Sequence, residues 1–128
     1  MRLEDGSRAL ALRHTDGTLE LQHLTDDGAP TVLHLPGPAL SARIVGASGR
    51  VACARTERAS ATANAIERRL ICLDLATAAT SLDVELGTPG LYMPRRELAV
   101  GAGSVAFIRP EESGLRVTVR RLPTGGGR

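Results

Sequence analysis

The sequence predicts an all-β chain: three four-stranded antiparallel units in one domain spanning residues 1–128. Three observations predict it. Apolar runs of strand length alternate with turn chemistry along the chain. The order of runs in residues 41–86 recurs, more weakly, on both sides of it. Helical competition is confined to residues 59–69, where Ser, Thr and Asn among the Ala, Glu and Arg argue for a loop instead.

The first unit, about residues 1–38, has only the stub Met1-Arg2-Leu3 for an innermost strand. Ala9-Leu10-Ala11-Leu12-Arg13 supplies the second strand, Leu19-Glu20-Leu21-Gln22-His23-Leu24 the third and Val32-Leu33-His34-Leu35 the fourth. Asp16-Gly17 predicts a two-residue type I′ turn between the second and third. That register sets His23 opposite Leu10.

The second unit, about residues 39–90, is complete. Ala42-Arg43-Ile44-Val45, a small-residue turn at Gly46-Ala47-Ser48-Gly49 and Val51-Ala52-Cys53-Ala54 form its first hairpin. Leu70-Ile71-Cys72-Leu73-Asp74-Leu75 and Leu82-Asp83-Val84-Glu85-Leu86 form its second. Residues 58–67 between the hairpins are long and rich in small side chains, so they are expected to be the most mobile internal segment.

The third unit, about residues 91–124, runs from Leu98-Ala99 through Val105-Ala106-Phe107-Ile108 to Val117-Thr118-Val119. It lacks a fourth strand, and residues 125–128 form a glycine-rich flexible tail. Gly49-Arg50-Val51-Ala52 lies over Gly103-Ser104-Val105-Ala106 without a gap. Equivalent runs begin at Ala9, Val51 and Val105, intervals of about 42 and then about 54 residues, against the roughly 40–50 of propeller blades.

The small-residue turn before Val51-Ala52-Cys53-Ala54-Arg55, and Asp74-Leu75-Ala76-Thr77 before a further turn, resemble the bacterial WD40-like β-propeller repeat. Leu122-Pro123-Thr124-Gly125-Gly126 echoes the second motif. There is no Trp-Asp dipeptide, and the family's Ser-Pro-Asp-Gly turn is reduced to Ala47-Ser48-Gly49 and Ala102-Gly103. The resemblance covers most of the chain and implies about three blades of a partial propeller. Propellers close with typically 4–8 blades, so completion by a second copy or by a partner protein is implied.

The strand patterns say which faces need cover. The middle unit's third strand is apolar almost throughout, as when both faces are buried. The outer units' third strands alternate, with Leu19 and Leu21 against Glu20 and Gln22, and Val117 and Val119 against Arg116, Thr118 and Arg120. Leu10, Leu12, Phe107 and Ile108 lie on second strands that are apolar on both faces, so they are the expected interface of a homodimer.

Composition narrows the chemistry. Apolar residues make up 42% of the chain and aromatics 2%, so aliphatic side chains must build the core and few rings remain for stacking bases. Sixteen arginines and no lysine face 14 acids, a mixed surface and not the basic face of a nucleic-acid binder. No apolar run approaches a membrane span and no signal-peptide pattern opens the chain, so a cytoplasmic protein is expected.

Two pairings of side chains merit attention. A symmetric hairpin around residues 62–63 makes Cys53 and Cys72 directly opposed neighbours. Such a pair is either two small buried apolar thiols or a redox-sensitive disulfide. Arg13, Arg55 and Arg109 share one position per unit and are candidate ligands for an anion at the centre of a completed ring. His14, His23 and His34 lie on successive strands without convergence, so no metal site is expected. No nucleophile elbow, Walker loop or metal-binding His motif occurs. The expected function is a non-catalytic protein-interaction or scaffold module without cofactors, the alternative being a small-molecule or anion site, possibly enzymatic, at the ring centre.

Overall fold

A computed structural model of the chain describes residues 2–3, 5–26, 28, 30–35, 39–59, 66–87, 98–101, 103–111 and 114–122. All regular structure among them is β. The ten strands are β1 (Arg8–Arg13), β2 (Leu19–Leu24), β3 (Thr31–Leu35), β4 (Ser41–Ser48) and β5 (Val51–Ala59), then β6 (Ile66–Asp74), β7 (Thr80–Gly87), β8 (Leu98–Gly101), β9 (Ser104–Glu111) and β10 (Gly114–Arg121).

They form three antiparallel meanders, β1-β2-β3, β4-β5-β6-β7 and β8-β9-β10, called sheets 1, 2 and 3 below. Only the middle unit is therefore four-stranded. A single antiparallel bridge, Arg2 to Arg8, is all that the described residues show of a further strand at the start of sheet 1.

The sheets stack in chain order because each offers an apolar face to the next. Leu19, Leu21, Leu33 and Leu35 of sheet 1 pack with Ala52, Ala54, Ile71 and Leu73 of sheet 2. On the far side of sheet 2, Val51, Cys53, Leu70, Cys72 and Leu86 pack with Val105 and Phe107 of sheet 3. Sheet 2 is thus sandwiched. That is why Leu70 to Asp74 are buried without interruption, with apolar side chains pointing both ways. Burying each of the larger of these side chains contributes roughly 1.5–3 kcal/mol, and Phe107, at 1% exposed, is among the largest fully buried.

Several local expectations are corrected. Asp16-Gly17 is not a two-residue turn: Gly17 N–H donates to His14 O and His14 N–H to Thr18 O, both at 2.9 Å, with Gly17 at φ 90°. This is a three-residue loop with a left-handed glycine. Asp16 Oδ1 stabilises it by accepting from Thr18 N–H at 2.9 Å. The extra loop residue moves the register by one, so His23 pairs with Ala9 and Leu10 with Gln22.

Gly46-Ala47-Ser48 is strand and not turn; β4 continues to Ser48, and Gly49-Arg50 alone closes the hairpin. The expected loop at 58–67 shortens too, because Arg58 pairs with Glu67 and Ala59 with Ile66. The centre of that loop, at 60–65, lies outside the described residues, as does the tail at 125–128.

Candidate interaction surface

Hairpin geometry decides which faces of the terminal sheets stay open. Ser48 pairs with Val51 across a two-residue loop, and Gly101 pairs with Ser104 across another. Counted from these loops, Ser104 stands where Val51 stands, and Val105 where Ala52 stands. The ungapped overlay of Gly49 on Gly103 is one residue out of step with the structure. Packing agrees with the count from the loops: Ala52 and Ala54 face the preceding sheet, and so do Val105 and Phe107.

The opposite face of sheet 3 follows from strand alternation. Val119 pairs with Ala106 and Val117 with Ile108, so all four point away from sheet 2. Val117 is 65% and Val119 64% exposed. Their counterparts in sheet 2 are Cys72 and Leu70, which pair with Cys53 and Arg55. Cys72 and Leu70 are fully buried because sheet 3 covers them. The two faces are built alike, and only one of them is covered.

Sheet 1 has an open face at the other end of the stack. Leu10, Gln22 and Val32 form one cross-strand row, and Leu12, Glu20 and His34 the next. Leu12 is 38% and Val32 42% exposed, whereas Leu10 and Leu24 are half-buried. Glu20 Oε1 accepts from His14 Nε2 at 2.9 Å, and Glu20 Oε2 accepts from Gln22. The His14 hydrogen bond, then that from Gln22, holds its carboxyl below the usual range, so this face carries a carboxylate at neutral pH.

Among the residues expected at an interface, Leu10 and Leu12 lie on this open face of sheet 1 and Ile108 lies half-buried on the open face of sheet 3. Phe107 does not: it points into the core against sheet 2, so no partner can reach it. Val117 and Val119, assigned by alternation to a covered side, are the exposed ones. A count from the Ala102-Gly103 loop would have revealed them.

The two cysteines stand directly opposed across β5 and β6 and are joined by a disulfide, with their Cα atoms 4.0 Å apart. They are a bonded pair and not free thiols. The bond is fully buried beneath sheet 3.

The three arginines do not share one cleft. Arg13 Nε donates to Ala39 O at 2.7 Å at the rim of an open cleft of about 500 Å³. The same cleft is lined by Asp16, Arg58 and Glu67, and Arg58 is held by Glu67 at 2.9 Å. Two cations there face two acids. Neither Arg55, which reaches Glu57 at 3.7 Å, nor Arg109, which pairs across the strands with Arg116, lines it. His14 and His34 flank Glu20, while His23 contacts the Ser7 hydroxyl at 2.9 Å. Among the described residues, no group of three or more His, Cys, Asp or Glu is placed to hold a metal ion. Nor is any helix long and apolar enough to cross a membrane.

No protein-family model, curated protein or solved structure matches this chain.

Proposed function

We propose that the chain is a non-catalytic protein-interaction module that acts through the open faces of its terminal sheets, as a partial propeller would. One observation carries the reading. Val117 and Val119 are left wet at positions whose counterparts in sheet 2 are fully buried. A contiguous apolar strand face on a soluble surface marks a binding site more often than chance placement. The charge balance of the Arg13 cleft counts against the alternative of an anion site.

The buried Cys53–Cys72 bond bears on where the module works. Disulfides persist in oxidising compartments and are rare in the cytosol, so we read its environment as oxidising in place of the cytoplasm expected from the sequence.

The reading is tested by the urea stability of the Val117→Ser/Val119→Ser variant at concentrations where the chain is dispersed. Side chains that face only solvent or a partner leave the isolated chain within about 0.5 kcal/mol of wild type. A loss of about 3 kcal/mol or more, the transfer cost of two buried valines, would show that the chain covers this face itself. The interaction reading would then be withdrawn.

A further inference from the structure

Resting on that reading, we infer that the occupant of the open sheet 3 face is a second copy of this chain, bound through the open face of its sheet 1. Within one chain, sheet 2 already shows how such a face is covered. The row Cys53–Cys72 and the neighbouring Leu70 receive the inner face of the next sheet, through Val105 and Phe107. The equivalent row Ala106–Val119, with Val117 beside it, therefore presents the geometry onto which a following sheet stacks.

The sheet that fits must have its own preceding-side face uncovered, and sheet 1 meets that condition in this chain. Its open face offers Leu10, Leu12 and Val32, with the carboxylate Glu20 in the row of Leu12 and the exposed cation Arg8 in the row on the other side of Leu10. The described charge on the open face of sheet 3 is a cation, Arg121, which pairs with Ser104 at the strand edge. The apolar side chains carry the match: a patch edged by the cation Arg121 meets a patch that holds one anion, Glu20, and, two rows away, the cation Arg8. Face 3 on face 1 is a head-to-tail contact. Two copies that each use both faces form a closed six-sheet ring, within the 4–8 blades at which propellers close.

Head-to-tail pairing has a signature that other arrangements lack. Val119→Glu spoils face 3 and Val32→Glu spoils face 1; both positions are exposed, so the variants should fold, as circular dichroism and thermal melting would check. Light scattering at micromolar concentration is expected to give twice the 13.4 kDa chain mass for wild type. Either variant alone has both contacts damaged and should run as a monomer, its dissociation constant raised at least about thirtyfold, as for a buried hot spot.

An equimolar mixture should recover dimers. In the mixed pair the unaltered face 3 of the Val32→Glu chain meets the unaltered face 1 of the Val119→Glu chain. If Val119→Glu is monomeric while Val32→Glu stays dimeric, face 3 binds face 3 and the inference is overturned. If wild type is monomeric to about 100 μM, well above the micromolar affinities of ordinary weak complexes, the second copy is overturned. The interaction reading would survive that result, since the stability of the serine variant decides it separately. Val117→Glu repeats the face 3 test should Val119→Glu fail to fold.

Discussion

Substituting Gly46 by alanine should weaken the contact between sheets 2 and 3 by a calculable amount. Gly46 lies in β4 where the pairing with β5 shifts register between Ile44 and Gly46. A Cβ added there would stand 2.5 Å from Val100 Cβ and 2.8 Å from Val100 Cγ2. Ordinary carbon contacts lie near 3.5–4.0 Å, so β8 must retreat by about an ångström. The clash is with the first side-chain atom of Val100, which no rotamer change can move. Overpacking of this kind costs about 1–3 kcal/mol. In a urea titration with a slope of about 1–3 kcal/mol per molar, the midpoint of Gly46→Ala should fall by about 1 M. The cause is isolated by a cycle with Val100→Gly, which removes the opposing atoms. In that background the alanine should cost at least about 1 kcal/mol less, a coupling typical of touching residues. A cost below about 0.5 kcal/mol, or one unchanged by Val100→Gly, would refute the stacking of β4 on β8.

Other outcomes follow from the same geometry. The Cys53–Cys72 bond closes a loop with a sequence separation of 19, so the Cys53→Ala/Cys72→Ala variant should lose about 3 kcal/mol. Thiol titration of the unfolded wild-type chain should find no free thiol. Ala78 is the described non-glycine residue with a left-handed backbone, at φ 64°; Ala78→Gly should raise stability by about 1 kcal/mol, the cost such a backbone imposes on alanine. Burial pushes the Asp74 carboxyl up, but the N–H groups of Thr77 and Ala76 and the nearby Arg50 more than offset it, leaving it below the ordinary 3.8. A folded-state pKa depressed in this way contributes stability that is present above the unfolded value and lost as pH falls through the folded one. Stability should therefore be flat near neutrality and fall below about pH 4, with a shallower fall in Asp74→Asn. A stability that rises on acidification would contradict the assignment.

Much of the fold is legible in the sequence where local and global signals agree. The unbroken apolar run at residues 70–73 announces a strand covered on both faces, and sheets 1 and 3 cover it from either side. Cys53 opposite Cys72 follows from hairpin symmetry alone, because a long loop closed at 59 and 66 preserves the register. Legibility stops where one residue decides. A two-residue turn at Asp16-Gly17 and the three-residue loop with a left-handed glycine differ by one position, yet that residue exchanges Leu10 for Ala9 opposite His23. The side-chain period of a strand is two, so each such step turns every side chain to the other face.

The open surface depends on the same arithmetic. Overlaying Gly49 on Gly103 matches residue types; counting from the loop matches pairing geometry, and the two disagree by one. In sheet 3 that difference carries Phe107 into the core and leaves Val117 and Val119 in water. Composition cannot arbitrate, because β9 presents Val105, Ala106, Phe107 and Ile108 in succession and is apolar on either choice. The polar residues of β10 mislead for a related reason. Thr118, Arg116 and Arg120 lie on the side of Phe107 and Val105, with which Thr118 and Arg120 pair. Arg116 and Arg120 are nevertheless exposed, which suits long stems that reach solvent past the edge of a core. A strand that turns Arg116 and Arg120 toward the covered side and Val117 and Val119 outward, with Arg121 only at its end, inverts the usual rule. The inversion makes sense when the outward side is itself to be covered, and that is the physical content of the proposed ring.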